Sequence, residues 1–341
     1  MLFVLRMQLA DVRAVMYEHL GSLRDPAGPV GAYRGGLGRS ADFYSSLDVA
    51  LMRTLMGEDL RTSLPPAERR AWADHINSHQ RPDGTFTGIF THHSQLHAHG
   101  MVIGALGALG ETMRHRHSLY APFADPGSVA GWLARINWAE QWTASHLFWG
   151  GMHCYSLSRH CPPVWRETVF AWLDAQLDRA TGWWAKGIPH TDSHQALGGS
   201  AHILPIYQHH DRPFPAPAAL IDSILALQLP DTRWLDQPGH YPVSYLELDA
   251  LYALKFAGDS APAHRGGEIR DAVRRFGRYV ESAWSGDRAT LLAEHPHVLL
   301  GLVGTFGLLQ QHLPDEYVDS VTWTDIFSDR RLYQVDAATG L

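Results

Sequence analysis

Histidine carries most of the chemistry available to this sequence. Of the 341 residues, 22 are histidine, whose ring changes charge near neutral pH and serves as general acid, general base or metal ligand. These histidines gather at a few places. His92, His93, His97 and His99 form one group, His146 and His153 a second, His190, His194 and His202 a third, and His295 and His297 a fourth. At corresponding places elsewhere stand Asp42, Tyr44 and Asp48, and then His240, Tyr241, Tyr245, Glu247 and Asp249.

Two chemistries follow. In the first, His97, His194, His202 or His297 exchanges protons with a substrate, with Tyr245 beside them and Asp48 or Asp249 orienting an imidazole. The two aspartates occupy similar contexts, SLDVALMRTLMG and ELDALYALKFAG, and a carboxylate in so apolar a helix is costly unless it is paired. Tyr44, His146, Trp149 and Trp184 are the expected substrate-holding side chains, since tyrosine and tryptophan offer an apolar face and a polar edge. This chemistry requires no cofactor. In the second, His93 with His97 and His190 with His194 grip a divalent metal, because helical residues four apart share a face; no HExxH signature is present.

The elements that must position these residues repeat. Segments rich in small and apolar residues start near Asp42, Ser94, Ala144, Ser193, Ser244 and Leu291, roughly fifty residues apart. Stretches such as GMVIGALGALG and LLGLVGTFGLL are apolar nearly all round, which predicts buried helices. Each follows an amphipathic, charged stretch, about 8–20, 66–80, 127–138, 162–178, 216–228 and 266–284, with prolines marking several of the starts. Six buried helices inside six amphipathic ones predict an all-α fold, a single (α/α)6 toroid domain spanning residues 1–341. The inner helices would then run parallel, and their first turns would place the His, Tyr and carboxylate groups around one mouth.

Three stretches share a Gln followed by an aromatic after a turn: INSHQRPDGTF (76–86), WLDAQLDRATGWW (172–184) and ILALQLPDTRW (224–234). With Gln80, Gln176 and Gln228 they resemble the repeats of terpenoid cyclases and protein prenyltransferases, in which Gln and an aromatic staple an outer helix to the next inner one. The resemblance implies the toroid. It does not extend to the reaction, since neither a DxDD nor a DDxxD motif is present and no cysteine falls where a prenyltransferase zinc ligand would. Glycoside hydrolases, polysaccharide lyases and sugar epimerases share the same plan.

A net charge of -7 argues against a nucleic-acid partner. No apolar run reaches membrane-spanning length and the first residues lack a secretory signal pattern, so a cytoplasmic location is expected. Cys154 and Cys161 make no disulfide framework and are expected to be free thiols. The expected function is acid–base chemistry, a cyclisation, isomerisation or elimination, on a terpenoid-like or other small organic substrate. The alternatives are a carbohydrate-active lyase, epimerase or hydrolase, a metal-dependent enzyme, and a noncatalytic helical scaffold whose histidines pack individually and share no cavity.

Overall fold

The amphipathic and apolar stretches form helices in alternation, as their 3.6-residue periodicity dictates. The computed structural model describes residues 6–184, 186–188, 192–234 and 243–340, and it is all-α. Among the described residues the strands are confined to Met7–Gln8 and Tyr317–Val318, paired in parallel. The first pair of helices is α1 (Leu9–Leu23) and α2 (Phe43–Leu55), the second α3 (Pro66–Ser78) and α4 (Gln95–Leu109). In the third, α5 (Pro126–Leu133) precedes a broken segment, 141–157. Then come α6 (Pro163–Gln176) with α7 (Ser193–His209), α8 (Pro217–Ala226) with α9 (Tyr245–Ser260), and α10 (Gly266–Gly286) with α11 (Pro296–His312).

The second members of the pairs pack on one another in cyclic order. α2 contacts α4, α4 the broken segment, that segment α7, α7 contacts α9, α9 contacts α11, and α11 returns to α2. Enclosure explains their composition: every residue of α4 after Gln95 is buried, and of α2 every residue but Arg53. The outer members are one-sided. In α10 the buried residues Ile269, Ala272, Val273, Phe276, Val280 and Trp284 form a single stripe.

Helix starts are set by caps. Asp42, Ser94 and Asp192 accept backbone N–H bonds from Ser45, His97 and His194, Ser244 and Glu247 make a capping box, and His295 Nδ1 accepts from His297 N ahead of Pro296. Each cap satisfies a donor that the first helical turn leaves without an intrahelical partner. The last of these corrects the expected start near Leu291, which lies in a separate short helix, Arg288–Leu292. The third inner element is not one helix either. It is a turn at Gln141–Ala144, a π-helical stretch at Phe148–His153 and a final turn at Cys154–Leu157. The disruption sits where α4 presses closest: a Cβ on Gly150 would lie 1.9 Å from the Leu96 carbonyl, and one on Gly100 would lie 2.7 Å from Gly150 Cα.

The glutamine–aromatic stretches act as staples. Gln80 exchanges two hydrogen bonds with the His115 backbone, and Gln95 of α4 does the same with Phe86. Trp184 and Trp234 donate to the Leu173 and Ile224 carbonyls at the ends of α6 and α8. Residues 313–340 hold the strand Tyr317–Val318 and two short helical turns, Arg330–Tyr333 and Val335–Thr339, and these turns pack against the deeper part of α4, with Leu332 beside Gly104 and Arg331 beside Gly107. One hydrophobic cluster runs from Leu9 to Ala338. Both cysteines are buried and free, and among the described residues no helix is long and apolar enough to cross a membrane.

Burial of histidine makes this core sensitive to acid. His117, His209 and His312, all outside the central cavity, are pushed by burial from the ordinary 6.5 to about 4. Between those values the unfolded chain binds protons at these sites and the folded chain does not, so stability falls as pH drops from about 6.5 to about 4. A thermal scan should show a melting temperature lower by roughly 5–10 °C at pH 5 than at pH 7.5; a flat profile would contradict the neutral state of these rings.

Candidate functional site

The caps place side chains of the first helical turns around one end of the bundle. Tyr44, His97, Tyr245 and His297 each lie one to three residues past a cap, and a cavity of about 520 Å³ opens among these turns, a size suited to a small organic ligand. His92, His93, His97, His146, His202, His295 and His297 line it together with Tyr245. Apart from Thr143, the rest of the wall is apolar: Phe90, Met101, Trp142, Trp149, Val298, Ile326 and Phe327. Among the described lining residues there is no carboxylate.

Three imidazoles converge. His93 precedes the Ser94 cap, His97 lies in the first turn of α4, and His146 enters from the break between the Gln141–Ala144 turn and the π-helical stretch. One ring nitrogen of each lies within 4.8 Å of those of the other two. The Tyr44 hydroxyl is 2.9 Å from His93 Nδ1 and 3.2 Å from His97 Nδ1, so one phenol orients both rings and leaves their Nε2 atoms to other partners. Tyr44 is itself held by Phe90, stacked at 4.3 Å and 7°. Burial, reinforced by neighbouring imidazoles, lowers His93 to about 2 and His146 to about 4, and holds His97 and His202 well below the usual histidine range. All four are neutral at pH 7.

Across the cavity His297 meets Asp48. Its Nδ1 is 3.0 Å from Asp48 Oδ1, the carboxylate is fully buried in α2, and burial raises Asp48 above the ordinary carboxylate range although His297 pulls the other way. With Nδ1–H donating to Asp48, His297 presents its Nε2 lone pair to the cavity. Tyr245 Oη donates to the His297 carbonyl at 2.6 Å and His202 Nδ1 lies 2.9 Å from Ser145 Oγ. His295 bonds the Asp42 cap at 3.1 Å. The geometry of a carboxylate orienting an imidazole whose far nitrogen faces a substrate-sized space is that of a general base.

Of the residues expected to do chemistry, His93, His97, His146, His202, His297, Tyr245 and Trp149 line this cavity, with Tyr44 and Asp48 directly behind them. Three are not there. His194 borders a separate depression with Gln228 and Trp234, and its Nδ1 is 3.4 Å from Asp192, so it cannot join His97. Trp184 is buried against Tyr207 and Phe214 at the end of α6 and packs the core. Asp249 is fully buried with neither oxygen hydrogen-bonded among the described residues, and burial raises its pKa well above the ordinary range; no described imidazole hydrogen-bonds it as His297 does Asp48. His190, His240 and Tyr241 lie outside the described residues. His99 turns away to Tyr120, 3.0 Å from its Nε2, and His153 to His209 and Tyr333.

The sequence reading missed the part of the wall drawn from the C-terminal segment. Trp149 donates to Tyr333 Oη and Tyr333 to the Ile326 carbonyl, each at 2.6 Å, which seats Ile326 and Phe327 in the cavity. Phe90 was legible only as the aromatic two residues before the His92–His93 pair. No protein-family model and no curated protein matches the sequence.

Proposed function

We propose that this chain is an enzyme performing proton-transfer chemistry, a cyclisation, isomerisation or elimination, on a small, largely apolar organic molecule of terpenoid type bound in the central cavity. The observation that carries the reading is the His297–Asp48 pair opening onto an aromatic-walled space. His297 Nε2 takes a proton from the substrate, and Asp48 stabilises the imidazolium that forms. Phe90, Trp142, Trp149 and Phe327 bury the apolar body, and their ring faces favour developing positive charge. That seven histidines share one space speaks against a scaffold whose histidines pack individually. A glycoside hydrolase needs two carboxylates at the cleaved bond, and the described lining has none.

The test is incubation of the tag-free protein in deuterium oxide with acyclic terpene alcohols, their diphosphates and, separately, oligouronates, read by mass spectrometry. Conversion of a terpenoid is expected: an isomerisation, in which the imidazolium of His297 exchanges with solvent and returns its proton at a second carbon, takes up one deuteron at carbon, and an elimination, in which that proton leaves to solvent, takes up none. Conversion of oligouronates alone would replace the reading with carbohydrate elimination.

A further inference from the structure

We propose that His93, His97 and His146 form a three-histidine site for a divalent transition-metal ion of the zinc class, open toward the cavity. The proposal rests on the reading of the cavity as a catalytic site and adds to it the chemical handle of the substrate. Three observations carry it. The ring nitrogens lie within 4.8 Å of one another, with ring centroids 3.9 Å apart for His93–His97, 4.7 Å for His97–His146 and 5.2 Å for His93–His146. The two rings from the start of α4 are held through Nδ1 by one hydroxyl, that of Tyr44, which is how protein ligands to metals are commonly aimed. His97 lies on α4, His93 in the turn just before its cap and His146 just before the π-helical stretch, and these two elements touch at Gly100 and Gly150.

An ion about 2.1 Å from each nitrogen at tetrahedral angles would hold the three nitrogens roughly 3.4 Å apart, so on loading the rings re-aim, their nitrogens converging on the ion while the closely stacked His93 and His97 rings splay. Imidazole ligands select zinc, cobalt, nickel, copper or iron over magnesium and calcium, which take oxygen. Three neutral ligands leave the full double charge of the ion uncompensated, and the open coordination position faces the cavity. The substrate class is thereby narrowed to an apolar molecule carrying one oxygen donor, a hydroxyl, carbonyl or carboxylate, that reaches the ion while its body lies against Phe90, Trp142 and Phe327. His297, with its ring 5.0 Å from that of His93, is then beside the bound oxygen.

The experiment uses the full-length, tag-free chain stripped with a chelator and titrated with Co2+ and Zn2+, followed by calorimetry and by the visible absorption of cobalt. One equivalent should bind with Kd below about 1 µM, and Mg2+ and Ca2+ should not compete. His146→Ala, on the cavity rim, and His97→Ala should each weaken binding by about 100-fold or more, and Tyr44→Phe by roughly 10- to 100-fold, with circular dichroism showing a native fold. His194→Ala should bind as the parent does. Absence of stoichiometric binding by the parent, or its retention in a folded His93→Ala, His146→Ala double variant, would overturn the site. Metal binding is read without a substrate, so a chain that binds cobalt yet converts no terpenoid refutes only the functional reading, and a metal-free chain that converts one refutes only the site.

Discussion

Asp48→Asn and His297→Gln are each expected to lower product formation by roughly 10²- to 10⁴-fold, and the double variant to lose no more than the worse single. The reason lies in how the pair is built. Asp48 sits in the buried wall of α2, its Oδ1 bonded to His297 Nδ1 and its Oδ2 without a hydrogen-bond partner among the described residues, so its negative charge is directed at one imidazole. Asparagine keeps the volume and an acceptor but no longer offsets the charge of the imidazolium. Glutamine at 297 removes the base itself. Residues that act as a unit lose their contribution together, which gives the non-additive double variant. The check is the rate of product formation for each variant with the terpenoid identified in deuterium oxide, alongside melting temperatures. Additive losses, or a loss matched by unfolding, would show that the pair is a core contact only.

Gly150→Ala should destabilise the protein by about 3 kcal/mol or more, at the upper end of what overpacking costs, and lower the melting temperature by roughly 4 °C or more. A methyl group there would fall 1.9 Å from the Leu96 carbonyl and 3.1 Å from His97 Cα. The obstacle is backbone, which cannot rotate away as a side chain can, so α4 and the broken segment must separate. That separation moves His97 from His146, and metal affinity should fall together with stability. Gly131→Ala, on the outer helix α5, has no neighbour closer than the Arg135 guanidinium at 3.6 Å; it should leave metal affinity unchanged and raise stability by up to about 1 kcal/mol. Calorimetry and cobalt titration of the two variants separate these outcomes.

Much of the architecture was legible in the sequence because it follows from local rules. Apolar residues at helical spacing, prolines in first turns and polar caps placed the starts of four inner helices, as at Ser94, Ser193 and Ser244, and the bounds of five outer ones to within three residues. The clustering of histidines near those caps was equally visible, and helices that start at one end of a bundle bring such residues together. The π-helical break at 148–153 was not legible. Its sequence, FWGGMH, is apolar and helical in character, and only the approach of α4 to Gly150 interrupts it.

Which histidines share the cavity was a tertiary decision. His97 and His99 are two residues apart on one helix and point about 200° apart around its axis, so one reaches the cavity and the other Tyr120. Asp48 and Asp249 stand in nearly the same local sequence. The first finds His297 because α11 closes the cycle of helices against α2, and the second has no such neighbour among the described residues. His194 borders a depression away from His93 and His97; the partner that completes their cluster is His146, from another element. Helix positions, burial and the level at which imidazoles enter were readable from the residues alone, since these depend on neighbours along the chain. The tertiary structure decided the His triad, the His297–Asp48 pair and the Ile326–Phe327 part of the wall, because each joins residues far apart in sequence whose contact depends on how whole elements rotate and close.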